Sequence, residues 1–325
     1  MNDFVRYIRK NSAESALIAV IAALLLVMFI IPTSRETFYS AYNLQSIMRG
    51  AAVTGILALG SLMVIIVRGI DLSVGSMLGL ASMSAAIIMS SDHLALPIWH
   101  ALIAAIGLGV AVGLYHALLI VRIGINPFIA TLGSMIIMRG LINVLADSQS
   151  VRNLPESYTE FGRGEFLGLP NIFVALLICW FVVDLVLRRT RLGRNMFAVG
   201  SNESVARLSG VRTGRVQTYA FVASAVLACI AGLLLTARMS SAVPSVGAGY
   251  ELQAIAGAVI GGASLMGARG TALGAMLGAI LMSLIINVGV QLDVNSFVMQ
   301  IVTGALLTLA VIVDQIQRKR HHEQS

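Results

Sequence analysis

Ten stretches of the chain are almost free of charge: 15–32, 50–67, 74–91, 98–121, 127–146, 170–187, 216–237, 254–266, 271–292 and 297–313. Runs of about 17–25 apolar residues match the hydrocarbon thickness of a bilayer when helical. A helix also satisfies its own backbone where no water can. The run at 254–266 is short, and Gly257, Gly261, Gly262 and Gly267 predict a tilted, broken or re-entrant segment there. The one long, strongly basic interval is 188–215. The pattern predicts an all-α polytopic membrane protein with about ten transmembrane helices. Residues 1–325 form a single transmembrane domain, and 188–215 forms a loop outside the bilayer.

Composition removes the soluble alternative. Of 325 residues, 58% are hydrophobic and 11% are charged, against roughly 25% charged in soluble domains. The first run is too long for the apolar core of a cleavable signal. It is followed by Arg35 and Glu36 without a small-residue cleavage pattern. The net charge of +7 sits in loops without interleaved aromatics, so it points to membrane orientation rather than nucleic acid. With both termini inside, the cytoplasmic segments hold 16 Lys and Arg: Arg6, Arg9, Lys10, Arg68, Arg122, seven arginines in 188–215, Arg269, Arg318, Lys319 and Arg320. The outer loops hold five: Arg35, Arg49, Arg152, Arg163 and Arg238. The positive-inside bias therefore predicts N-in, C-in topology.

No catalytic constellation is legible. G-x-S-x-G, H-E-x-x-H and Cys/His clusters are absent from the sequence. His321 and His322 form a solvated tail pair, and His100 and His116 lie more than four turns apart. Cys179 and Cys229 read as small core residues. A Walker A loop needs a lysine after glycine, and the two lysines, Lys10 and Lys319, do not follow one. Neither a catalytic site nor a metal site is expected. Ion-coupled transport would call for acids near the midplane, and these are scarce. Asp184 stands beside Arg188 near the end of its run, as a snorkelling pair would. Asp71, before the third run, is expected at the cytoplasmic edge, capping Leu72–Val74 and lying near Arg68. Arg139 lies twelve residues after Pro127, about 18 Å along a helix. It reads either as a snorkelling arginine or as a pathway contact.

Within 188–215 the signals of a short helix recur. Asn202 can cap, Glu203 suits the positive end of the dipole, and Gly210 suits the position after the last turn. A helix there, with Ala206 and Gly210 on one small-residue face beside Arg207, could receive force from a separate motor. Gly75 and Gly79, and Gly274 and Gly278, are small-xxx-small pairs that allow close packing. They lie in the near-identical runs GSMLG (75–79) and GAMLG (274–278), which are either an internal repeat or a coincidence of Gly- and Met-rich helices.

The runs GIDLSVG (69–75), NPFIATLG (126–133), TRLGRNMFAVGSNESVARLSGV (190–211) and GYELQAIAGAVIGGASLMGARGTALGAMLGA (249–279) resemble a known family. It is that of the membrane permeases of ribose-type ABC sugar importers, which includes ribose, arabinose, xylose, galactose and autoinducer-2 permeases. The resemblance spans about residues 40–314. It implies a dimer of permeases, a homodimer or a pair with a sister chain. It also implies ATP and Mg on a separate ABC ATPase, a periplasmic sugar-binding protein, and a multi-pass location in the bacterial inner membrane. Residues 202–210 match the family's ATPase-coupling helix. Ala268, Val288 and Asp293 depart from the family pattern, the last two at the outer side. The expectation is a non-enzymatic permease subunit for a sugar or sugar-like solute. An ion-coupled secondary transporter or facilitator is the alternative. Asn126, Thr131, Arg139, Asn143, Asn287, Asn295 and Gln300 are the polar candidates for the translocation path.

Overall fold

The computed structural model describes residues 12–30 and 36–322. Each of the ten apolar runs overlaps a helix, although in 254–266 the helix stops at Ile260. The first helices are α1 (Ser12–Ile30), α2 (Ala41–Ile66), α3 (Val74–Met89), α4 (Ile98–Ala117, continued by a π-helical turn Leu118–Arg122) and α5 (Pro127–Leu145). After them come α6 (Glu156–Arg163), a two-stranded hairpin (β1 Glu165–Phe166, β2 Leu169–Pro170) and α7 (Asn171–Arg189). Next are α8 (Arg191–Ser201), α9 (Glu203–Leu208), α10 (Thr213–Met239), α11 (Tyr250–Ile260), α12 (Ala272–Gln291) and α13 (Ser296–His322). Among the described residues six helices are long and apolar enough to cross a membrane: α2, α4 with its π turn, α5, α7, α10 and α12. α1, α3, α11 and the apolar part of α13 are shorter. Arg6, Arg9, Lys10 and Arg35, and the side chains of Asp314, Arg318, Lys319, Arg320, His321 and His322, lie outside the described residues.

α2 and α10 form the centre of the bundle. Their apolar windows are 89% and 78% buried, against 22–28% for α4, α5 and α7, whose outer faces are left for lipid. Gly, Ala and Ser dominate the central contacts. Gly60 of α2 lies on the Ser224 backbone of α10, and Gly109 and Gly113 of α4 lie on Val226 and Val222. Small residues let helices approach closely where no hydrophobic driving force exists between helix and lipid.

The two halves of the bundle have the same plan. A long helix (α2 or α10) ends in a left-handed residue, Arg68 at φ 63° or Ser240 at φ 55°. A non-helical stretch follows, then a short helix (α3 or α11), then two more helices. The halves interlock crosswise. α10 carries α3 and α4 of the first half, and α2 carries α11 and α12 of the second. The near-identical glycine runs do not mark this repeat. GSMLG lies on α3 and GAMLG on α12, which occupy different places in the two halves, so their likeness is the coincidence of composition.

Candidate translocation and coupling site

One end of the bundle carries the basic segment. α7 runs to Arg189, with Arg188 paired to Asp184 at 2.8 Å. The Thr190 hydroxyl accepts from Gly193 N at 3.2 Å and starts α8, a helix within the interval expected to be loop around a single short helix. Asn202 then caps α9 by accepting from Val205 N at 3.1 Å, and Gly210 closes it at φ 84°. The helix has six residues, and its faces differ from the expected ones. Ala206 is buried against the bundle, while Val205 and Leu208 point outward, 56% and 89% exposed. Ala206 therefore faces the bundle, not the outer side expected of it. Alanine packs closely on the inner side because the neighbouring chain at Val211 returns to it, with Val211 N donating to Ala206 O. Arg207 pairs with Glu203 of its own helix at 2.8 Å. Glu203 also accepts from Gln217 of α10 at 3.4 Å.

This helix is stitched to the core. Arg68 donates from Nε to Gly200 O at 2.6 Å and from Nη2 to Ser201 O at 2.5 Å. Ala268 N, in the turn between α11 and α12, donates to Ile66 O at 2.9 Å. Gly200 lies between these two groups, where a Cβ would overlap the Ile66 carbonyl. The α8–α9 junction, the end of α2 and the α11–α12 turn are thus bonded into one cluster.

From Arg68 the chain turns back into the bundle instead of staying at its edge. Asp71 is 2% exposed. It lies level with Gly60 and Ser224, six residues or about 9 Å from the end of α2. Its carboxylate accepts from Ser73 N at 2.9 Å, Ser73 Oγ at 2.6 Å and Ser224 Oγ at 3.0 Å. The edge position and the Arg68 neighbour expected from the sequence are both corrected. Arg68 serves Gly200 and Ser201, and Asp71 is an interior acceptor. Thr131 of α5 bridges the same unwound stretch, donating to Ile70 O and accepting from Leu72 N at 3.1 and 3.2 Å.

The two short helices meet here. Gly75 and Gly247 lie so close that a Cβ on either would overlap the other's carbonyl. A Cβ on Gly79 would sit 2.7 Å from Val246 O, the carbonyl to which Arg139 donates at 2.6 Å. Glu251, in the first turn of α11, accepts from Gly249 N at 3.1 Å. Its Oε2 and the Nη2 of Arg139 are buried without a hydrogen-bond partner. Sequence reasoning missed Glu251 because the apolar run was started after it. An acidic residue suits a helix first turn, and Gly249 just before it was the available signal.

The remaining path candidates are scattered. Asn126 and Asn295 cap α5 and α13, accepting from Phe128 N and Phe297 N at 3.0 and 2.8 Å. Asn143 donates to Arg139 O of its own helix, and Gln300 is exposed. Asn287 exchanges hydrogen bonds with Asn43, which Gln291 also reaches at 3.0 Å. Only Thr131 and Arg139 share one region, along α5 against α3. Gly274 and Gly278 lie against Gly261 and Gly257 of α11. No group of three or more metal-ligating side chains occurs among the described residues.

Broken helices meeting inside an all-helical bundle, with a capped helix bonded to it at one end, define a polytopic membrane transport subunit. The family model described as branched-chain amino acid transport system/permease component matches residues 43–311. The ribose import permease protein RbsC of Escherichia coli K12 is 36% identical over 299 residues, covering 90% of this chain and 91% of that one. RbsC of Haemophilus influenzae is 33% identical over 296 residues, at the same coverage. The D-allose transport system permease protein AlsC of E. coli K12 is 34% identical over 291 residues, 88% and 87% of the two chains. The chain belongs to this family of ABC importer permeases, with the ribose-type sugar permeases. No solved structure matches it significantly.

Proposed function

We propose that this chain is the permease subunit of an ATP-driven importer that passes a monosaccharide or similar polyol across the bacterial inner membrane. The observation that carries this reading is the 36% identity to a ribose import permease across nine-tenths of both chains. In it, ten segments cross or enter the bilayer with both termini in the cytoplasm: the six long helices and α1, α3, α11 and α13. Residues 188–215 face the cytoplasm and 1–325 is one transmembrane domain. Two permeases, identical or sister chains, enclose the path. ATP and Mg bind on a partner ATPase, and a periplasmic binding protein delivers the solute.

The coupling helix is Asn202–Gly210, with Val205 and Leu208 as its docking face and Glu203, Ala206 and Arg207 holding it to the bundle. Motor movement at α9 passes through Arg68 and Gly200 to the end of α2, and from there to the unwound stretch at Asp71. Thr131, Arg139 and Glu251 are the path residues this arrangement favours, because they line the meeting of the broken helices. The test is uptake of labelled ribose, allose, galactose and leucine into vesicles, with and without the partner ATPase. ATP-dependent uptake of a sugar is expected. Uptake of leucine alone, or sugar uptake without the ATPase, overturns the reading.

A further inference from the structure

A polar cavity of about 350 Å³ lies at the α8–α9 end of the bundle, between α9, the start of α10 and the α4–α5 turn. Small-molecule sites occupy roughly 300–1,000 Å³. Its polar wall is Asn126, Glu203, Arg207, Thr213 and Gln217, and its apolar floor includes Val67 and Phe221. The π-helical turn lines it through Ile120 and Val121. Such turns occur mostly singly and often at functional sites.

The chemistry of the wall selects a ligand class. Two arginines reach the cavity, but both are engaged. Arg68 holds the carbonyls of Gly200 and Ser201, and Arg207 holds Glu203. A phosphate would also lie against the Glu203 carboxylate, like charge beside like charge. The wall also offers the Asn126 and Gln217 amides and the Thr213 hydroxyl, which after their bonds to Phe128 N, Glu203 and Arg207 keep the Asn126 NH2, the Gln217 carbonyl and the Thr213 O–H for a ligand, beside a carboxylate and a hydrophobic floor. Sugar hydroxyls donate and accept in the same way. The wall also joins elements that must move together or apart. Glu203 is on α9, Gln217 on α10 and Asn126 at the start of α5.

We propose that this cavity binds a free monosaccharide from the cytoplasmic side and that occupancy holds α9 against α10, slowing transport. The regulatory part rests on the sugar-import reading, whereas binding does not. The cargo, accumulating inside, would restrain its own import.

The experiment uses the complete importer in proteoliposomes, with ATP and either no sugar or unlabelled ribose, allose or galactose in the lumen, on the face that carries α9. A lumenal sugar is expected to lower initial uptake about five-fold or more, the ordinary scale of coupling between sites. In Gln217→Leu, which removes an amide, and Val121→Trp, which fills the cavity, the ratio of rates with and without lumenal sugar should approach one. Equal wild-type rates with and without lumenal sugar would overturn the inference. So would inhibition persisting in both variants, or inhibition by a sugar phosphate but not the free sugar. Binding is measured separately on the purified chain, as a rise in unfolding midpoint with ribose, allose or galactose that Gln217→Leu abolishes. A midpoint unmoved by all three sugars refutes the site even where uptake is normal. Binding at the cavity with no sugar uptake would sink the proposed function and leave the site standing.

Discussion

Replacing Gly274 with leucine tests the packing most directly. Gly274 and Gly261 meet backbone to backbone, and Gly278 meets Gly257 one turn further on. A side chain at 274 would overlap the Gly261 carbonyl, so α11 and α12 must separate along this seam. Even a 0.5–1 Å gap forfeits about a quarter to a half of the dispersion energy of the facing atoms. Overpacking a tight interior typically costs about 1–3 kcal/mol. Gly107 of α4 provides the control, because a Cβ there meets nothing within 4 Å. Both substitutions gain helix propensity, roughly 1 kcal/mol, so that term cancels in the comparison. The difference between Gly274→Leu and Gly107→Leu isolates packing. At about 2–4 °C per kcal/mol for a chain of this order of size, Gly274→Leu should unfold about 2–12 °C below Gly107→Leu. The assay is the monodisperse fraction remaining after heating in detergent, at one fixed heating time because unfolding of such proteins is governed by rate. Equal midpoints would show that the seam yields freely and that the glycines are there for another reason.

Three further outcomes follow from the geometry. Asp71→Asn keeps an acceptor for Ser73 N and should retain most transport, whereas Asp71→Leu leaves a buried N–H and two hydroxyls unpaired, at about 1–3 kcal/mol each. Uptake at matched protein levels checks this, and an inactive Asn variant would mean the charge itself is required. Leu208→Glu should abolish co-purification with the ATPase while the permease stays folded, whereas Ala206→Trp should lower the yield of the permease itself. The reverse pattern would invert the assignment of the two faces of α9. Finally, Leu154→Cys should react with an impermeant thiol reagent from the periplasm and Val205→Cys only from the cytoplasm, and labelling of position 205 from outside would overturn the topology.

Much of this architecture could be read from the sequence, because apolar length is a strong signal in a bilayer. Every apolar run overlaps a helix, and the cap at Asn202 is recognisable from its neighbours. Boundaries were less visible. α2 begins at Ala41 rather than near 50, because Tyr42, Asn43, Gln45 and Arg49 look like loop residues until Asn43 finds Asn287, 244 positions away. α8 is rich in arginine and so resembled a topogenic loop, although Thr190 and the spacing of Leu192, Met196 and Val199 encode a capped amphipathic helix. The depth of Asp71 was hidden for a different reason. Its neighbours Arg68 and Gly69 mark an edge, and only the return of the chain along Ser224 and Thr131 shows that the residue is inside. Paired side chains on distant helices leave no local trace.

The crosswise interlock has a consequence for the order in which the molecule can be made. α3 and α4 pack on α10, and the last residue of α10, Met239, is synthesised 150 residues after the end of α3 at Met89. At about 5–20 residues per second, that is a delay on the order of ten seconds. Throughout it, Asp71 sits in a half-built bundle without Ser224 to satisfy its carboxylate. The second half meets no such wait, because α2 is already present when α11 and α12 emerge. A nascent chain cut short before α10 therefore carries a carboxylate held by Ser73 alone and a broken helix without its support. The first half of the bundle is completed only when the second half arrives.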